Sequence, residues 1–238
     1  MKKLIPFLCA LFALLNCTAV MAQENVRVQC GNFTMNVPSS NVECWQVDDN
    51  VAVSETATAQ EIASAQVANM AIYLADYADT TTVISPQITF YKIDDLSKTS
   101  LDLLDISTAL SDMMNNINSR YTTLENVYTE TPFLPYQVND RLVTILPKLL
   151  TFEGGSGIRY VTTWDEAIFA DDSMINLYYT FQGISDDGQY YISAVFPLKS
   201  TSLNGQLTSN VDWNSVDGSD FEPLLENMDY YIGSLVIE

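Results

Sequence analysis

Five carboxylates, Asp165, Glu166, Asp171, Asp172 and Asp187, lie in a stretch that also carries Trp164 and Tyr178. Two acids facing each other across an aromatic-lined cleft are what glycoside hydrolysis requires, so a carboxylate-dependent, glycan-active enzyme is one chemistry this sequence allows. Other chemistries are closed by composition. The chain contains no histidine, which removes Ser-His-Asp and Cys-His nucleophiles and histidine-ligated zinc or haem. No serine stands three residues before Lys92, Lys98, Lys148 or Lys199, so a Ser-x-x-Lys site is absent as well. Each of the five acids also has a turn or surface explanation, and residue availability alone does not make a site.

Calcium needs only oxygen ligands, and Asn210, Asp212 and Asn214 alternate as early EF-hand ligands do. The register then fails, because Ser215 stands where glycine is required and Phe221 where the closing glutamate belongs. A polar loop is the plainer reading, and a weak, irregular calcium site is the sharper alternative. The glycines of Glu153-Gly154-Gly155-Ser156-Gly157 are followed by Arg159-Tyr160-Val161, a strand and not a lysine and helix, so they join a hairpin and do not cradle phosphate. No cofactor is expected.

The opening residues place Lys2 and Lys3 before an apolar run from Leu4 to Leu15 and end in Val20-Met21-Ala22. That is the layout of a secretory leader over residues 1–22, with the mature chain, 23–238, beginning near Gln23. Cys17 after Leu14-Leu15-Asn16 offers the alternative of a lipid-anchored protein, although Asn16 occupies a position where a small residue is expected. The apolar run is short for a membrane span, and nothing downstream approaches one. A secreted or periplasmic protein is expected. Export makes the two remaining cysteines, Cys30 and Cys44, a disulfide by default, and closing so short a loop stabilises by about 3 kcal/mol. Thirty acids against ten bases give a net charge of −20, which argues against nucleic acid and for a solvated acidic surface.

The mature length suits a single domain. Val26 to Val37 breaks at Gly31-Asn32 into two alternating runs, and Val42 to Val47 follows a turn signal, so the chain opens with strands. Val67 to Tyr77 and Gln87 to Ile93 also read as strands, with a polar loop or weak helix from Asp48 to Gln66. Apolar residues at Leu103, Ile106, Leu110, Met113, Ile117, Tyr121 and Leu124 draw one helical stripe over residues 100–124. Leu149 to Phe152 and Ile158 to Trp164 read as a hairpin. A polar loop from Lys199 to Ser219 leads to a last helix over 220–235, capped by Asp220 and burying Phe221, Leu224, Leu225, Met228, Ile232 and Leu235.

The densest aromatic stretch is Leu177 to Leu198. Leu177, Tyr179 and Phe181 alternate onto one face, as do Tyr190, Ile192, Ala194 and Phe196 across the turn Ser185-Asp186-Asp187-Gly188. The opposite face carries Tyr178, Tyr191 and Val195, so part of it must be covered. Tyr178, Tyr191 and Trp164 are the candidate binding residues, since surplus tyrosine and tryptophan favour interfaces.

Pro132-Phe133-Leu134-Pro135, Gly155-Ser156-Gly157-Ile158-Arg159-Tyr160, Tyr179-Thr180-Phe181-Gln182-Gly183, Asp187-Gly188-Gln189-Tyr190-Tyr191 and Phe196-Pro197 together resemble a group of uncharacterised exported bacterial proteins and lipoproteins, Chloroflexi among them. The resemblance implies export and one domain, and carries no catalytic residue. The order of elements is also similar to PsbP and Mog1 domains. The expectation is therefore an α+β fold, an antiparallel sheet with helices packed on it, working as a binding module toward a cell-envelope protein or glycan.

Overall fold

The computed structural model describes residues 25–38, 42–47, 69–74, 86–96, 115, 143–163, 167–168 and 177–238. The expected leader, Cys17, the expected stripe over 100–124, Trp164, Asp165, Glu166, Asp171 and Asp172 lie outside the described residues.

Strand dominates what is described. In chain order the elements are β1 (Asn25–Cys30), β2 (Phe33–Pro38), β3 (Val42–Val47), β4 (Asn69–Leu74), β5 (Gln87–Lys92), α1 (Ile93–Leu96), β6 (Val143–Phe152), β7 (Gly155–Thr163), β8 (Ala167–Ile168), β9 (Leu177–Ser185), β10 (Tyr190–Leu198), β11 (Gln206–Leu207), α2 (Leu225–Gly233) and β12 (Val236–Ile237). Seven strands form one antiparallel sheet in the order β3-β4-β5-β10-β9-β7-β6, and three form a second in the order β1-β2-β12. β8 and β11 make a two-residue ribbon.

The expected α+β sandwich with helices over the sheet is therefore corrected to a β-rich fold. The α-helices whose full span falls among the described residues are four-residue α1 and nine-residue α2. The layer over part of the large sheet is itself a sheet: Cys30, Phe33, Met35 and Val37 of β1 and β2 are buried in one cluster with Ile72, Leu74, Ile88 and Phe90. Two-residue alternation in β2 supplies that inward set, and Phe33 stacks on Phe90 at 3.8 Å between ring centres. The pair Cys30–Cys44 is a disulfide with its Cα atoms 5.7 Å apart, and it ties β1 to β3.

The last helix starts five residues later than the stripe suggests. Glu222 exchanges two backbone hydrogen bonds of 2.8 Å with Lys199, which holds the chain extended there and forbids a helical turn. Asp220 instead closes a capping box with Asp217 on a single 3-10 turn. From Leu225 onward the stripe holds: Leu225, Met228, Ile232 and Leu235 are buried, while Leu224 is exposed. The expected polar loop also contributes to the core through Leu203 and Val216. Among the described residues no helix is long and apolar enough to cross a membrane.

The hairpin of β9 and β10 lies at the centre of the large sheet, paired by β5 on one side and β7 on the other. Its turn forms as the sequence indicates. Gly188 adopts φ +69°, and the Asp187 carboxylate accepts from the Ser185 hydroxyl and, at 2.9 Å, from the Gln189 amide.

Candidate functional site

Among the described residues, two clefts gather polar side chains. The larger, about 450 Å³, lies where α2 meets the β6–β7 hairpin and is lined by Lys148, Arg159, Asp217, Ser219, Glu226 and Asp229 among others. Arg159 occupies a core-facing position of β7, and Asp229 lies within the buried stripe of α2. Arg159 meets both carboxylate oxygens of Asp229 at 3.0 Å, Lys148 Nζ reaches Oδ2 at 2.8 Å, and the Tyr179 hydroxyl donates to Oδ1 at 3.1 Å. Arg159 also donates to the Leu146 carbonyl, and its guanidinium lies 5.9 Å from the Tyr179 ring centre.

Burial by itself would raise the Asp229 carboxyl, but the hydrogen bonds and charges of Arg159 and Lys148 outweigh it and hold the group below the ordinary carboxylate range. A carboxylate has about four lone-pair positions, and here four donors occupy them. Asp229 thus has no capacity left to take a proton from, or coordinate, a bound molecule. This cluster is a clamp between helix and sheet.

The second cleft, about 260 Å³, opens where the small sheet meets β3, β4 and β5. Its floor is apolar: Phe33, Phe90 and Met70, with Tyr190 edge-on to Phe33 at 5.0 Å. Gly31 permits this closeness, since a Cβ there would fall 2.5 Å from the Met70 methyl, and its φ of +58° suits glycine. Around the floor stand Asn32, Gln46, Asn69, Lys92 and Asp95. Three amides, an ammonium group and a carboxylate offer donors and acceptors of both charge signs around an apolar base. The lining contributes one carboxylate, so the two opposed acids of a glycosidase are not assembled there.

No known protein family, curated protein or solved structure matches the chain.

Tyr178 and Tyr191 are 5% and 0% exposed, so neither ring is presented at a surface. Tyr191 donates its hydroxyl hydrogen bond to Gln182, which in turn donates to Thr180 at 2.7 Å and Ser193 at 3.2 Å. Asp187 is an exposed turn residue whose carboxyl is held low, chiefly by the Ser185 hydrogen bond. Asp212 accepts from the Asn214 amide at 3.2 Å and caps a 3-10 turn. Among the described residues no group of three or more acids or cysteines is arranged to hold a metal ion.

Sequence reasoning missed the residues of both clefts. Arg159 and Asp229 did carry a signal, since each is a charge at a core-facing position of an otherwise apolar stripe. Gln46, Asn69, Lys92 and Asp95 carried none, because they come from separate strands and a short helix that the pairing of β3, β4 and β5 brings together.

Proposed function

We propose that this chain is an exported binding module of the cell envelope that holds a ligand bearing polar groups on an apolar body, such as a glycan or peptide segment, in the cleft between its two sheets. The observation that carries this reading is the lining: amides of Asn32, Gln46 and Asn69 with Lys92 and Asp95, set around Phe33, Phe90, Met70 and Tyr190. Such a surface hydrogen-bonds in several directions and excludes water from an apolar face, which is how ligand sites combine affinity with orientation. The leader at residues 1–22, the resemblance to exported bacterial proteins and the Cys30–Cys44 bridge support an oxidising, extracytoplasmic setting.

The test is a glycan and peptide array probed with the mature protein and with Lys92→Glu/Gln46→Ala. Both side chains are exposed, so the variant should melt within a degree or two of the parent while losing the captured ligand. Capture unchanged in the variant would sink the reading. Turnover of a captured sugar, lost in Asp95→Asn, would replace it with an enzyme.

A further inference from the structure

We propose that the Cys30–Cys44 disulfide is a thiol-cleavable latch on the cleft between the two sheets, which a dithiol reductant opens by attacking Cys44. The proposal rests on the reading of that cleft as the ligand site, and it adds the means by which a held ligand is released.

The bridge joins the two walls of the cleft. β1 belongs to the small sheet and β3 to the large one. Cys30 ends β1 and is followed at once by Gly31 and Asn32, the turn that lines the cleft from the small-sheet side. Across from it, Cys44 and Gln46 stand opposite Ile72 and Met70 of β4, so their side chains share one face of β3. That face is turned to the small sheet, since Ile72 is buried in one cluster with Cys30 and Phe33. A covalent link next to Gly31 on one wall and two residues from Gln46 on the other therefore fixes how far apart the walls stand.

The small sheet has anchors of its own. Phe33 stacks on Phe90 at 3.8 Å, Thr34 and Phe33 pair with Val236 and Ile237, and the Asn36 amide donates to Ser234 Oγ at 2.9 Å. All of these are on β2, so cleavage loosens the turn against β3 and leaves the layer in place.

The two sulfurs differ in access. Cys30 is 1% exposed, whereas Cys44 is an exposed residue, so an incoming thiolate meets Cys44 first. A bond forms between its sulfur and Cys44 Sγ as the disulfide bond breaks, and the electron pair leaves on Cys30 Sγ, which takes a proton from water. The Ala71 carbonyl, 3.8 Å from that sulfur, is placed to accept from the new thiol. The second thiol of the reductant then displaces Cys44, so two electrons pass to the protein and the dithiol departs as its own disulfide. Reversal of the same exchange closes the latch.

The test is hydrogen exchange, read by mass spectrometry, on the mature protein oxidised and after reduction with dithiothreitol, beside Cys30→Ala/Cys44→Ser. Exchange should quicken about tenfold at Gly31 to Phe33 and at Cys44 to Gln46 in both the reduced protein and the variant, while Tyr179 to Phe181 and Ile192 to Ala194 keep their protection. Brief treatment with glutathione followed by alkylation should place the mixed disulfide on Cys44 and the alkyl group on Cys30. Unchanged exchange at the two segments, loss of protection through the whole sheet, or glutathione on Cys30 would each overturn the proposal. Capture on the glycan and peptide array separates it from the reading beneath it. Oxidised protein that captures nothing sinks the ligand site and the latch with it, whereas capture equal in oxidised and reduced protein sinks the latch and spares the site.

Discussion

Both faces of the central strands of the large sheet are buried, and they differ in chemistry. One carries Ile72, Ile88, Phe90, Val161, Phe181, Ile192, Ala194 and Phe196; the other carries Gln87, Thr89, Tyr91, Tyr160, Thr162, Tyr178, Thr180, Gln182, Tyr191 and Ser193. Successive side chains of the same strands supply both sets. The apolar face gains from removing hydrocarbon from water, whereas hydroxyls and amides gain little from burial unless each finds a partner. Specificity of register on the second face must therefore come from a network such as Tyr191–Gln182–Thr180/Ser193. Alternation between polar and apolar residues along a strand distinguishes two environments, but it does not say that either one is solvent.

The largest effect should come from the apolar face. Phe181→Ala removes a fully buried ring that meets Phe152 at 6.2 Å between ring centres and should cost about 3–5 kcal/mol in urea unfolding. Thr180→Ala, one residue along and equally buried, should cost far less, because it deletes a small side chain. Equal losses would break the contrast between the faces.

The charged clamp comes next, as the exception within the apolar face. Asp229→Ala strands Arg159, which is 7% exposed, without its carboxylate, and should destabilise by about 3 kcal/mol. Pairing it with Arg159→Met should recover much of that loss, since two apolar side chains leave no unpaired charge. A double variant no better than the single would mean that the clamp supplies something beyond charge compensation.

On the polar face, Gln182→Leu withdraws the acceptor of the Tyr191 hydroxyl and should cost about 1–3 kcal/mol, against about 1 kcal/mol for Tyr191→Phe. The double variant should cost less than the two added together, because removing both partners leaves no polar group stranded between them. Strict additivity in chemical denaturation would show that the two groups act independently, and the network account of this face would fail.

These particulars also mark how far the sequence could be read. The β9–β10 hairpin was legible to within two residues at the strand ends, since period-two alternation and Ser185-Asp186-Asp187-Gly188 are both local signals. The disulfide was legible from the cysteine count and the expectation of export. The balance of strand and helix was not. Whether the β1–β2 ribbon folds over the large sheet depends on the long-range contact of Phe33 with Phe90 and on β12 joining β2, where Val236 pairs with Thr34 across two hundred residues. The start of α2 likewise depends on Lys199 reaching Glu222, a pairing that no helical stripe encodes. The candidate cleft, being made at that sheet-to-sheet junction, was invisible for the same reason.

The smallest effect belongs to the turn that joins the two faces' central strands. Asp187 is fully exposed, yet its carboxyl lies below the usual aspartate value, mainly through the Ser185 hydroxyl and then the Gln189 amide. A carboxyl whose folded value is lowered contributes stability above its unfolded value, near 3.9, and loses it as the pH falls through the folded value. Asp187→Asn should therefore separate slightly from the parent at neutral pH, and the two should converge in strong acid. Asp229 is lowered in the same direction at the clamp, so the parent keeps a residual acid-side slope that Asp187→Asn does not remove and Asp229→Asn diminishes. If unfolding curves from pH 7 down to about pH 2 gave the larger change to Asp187→Asn, the exposed turn and not the buried pair would be the principal acid-sensitive element, and the ranking of charge at surface and interior argued above would be reversed.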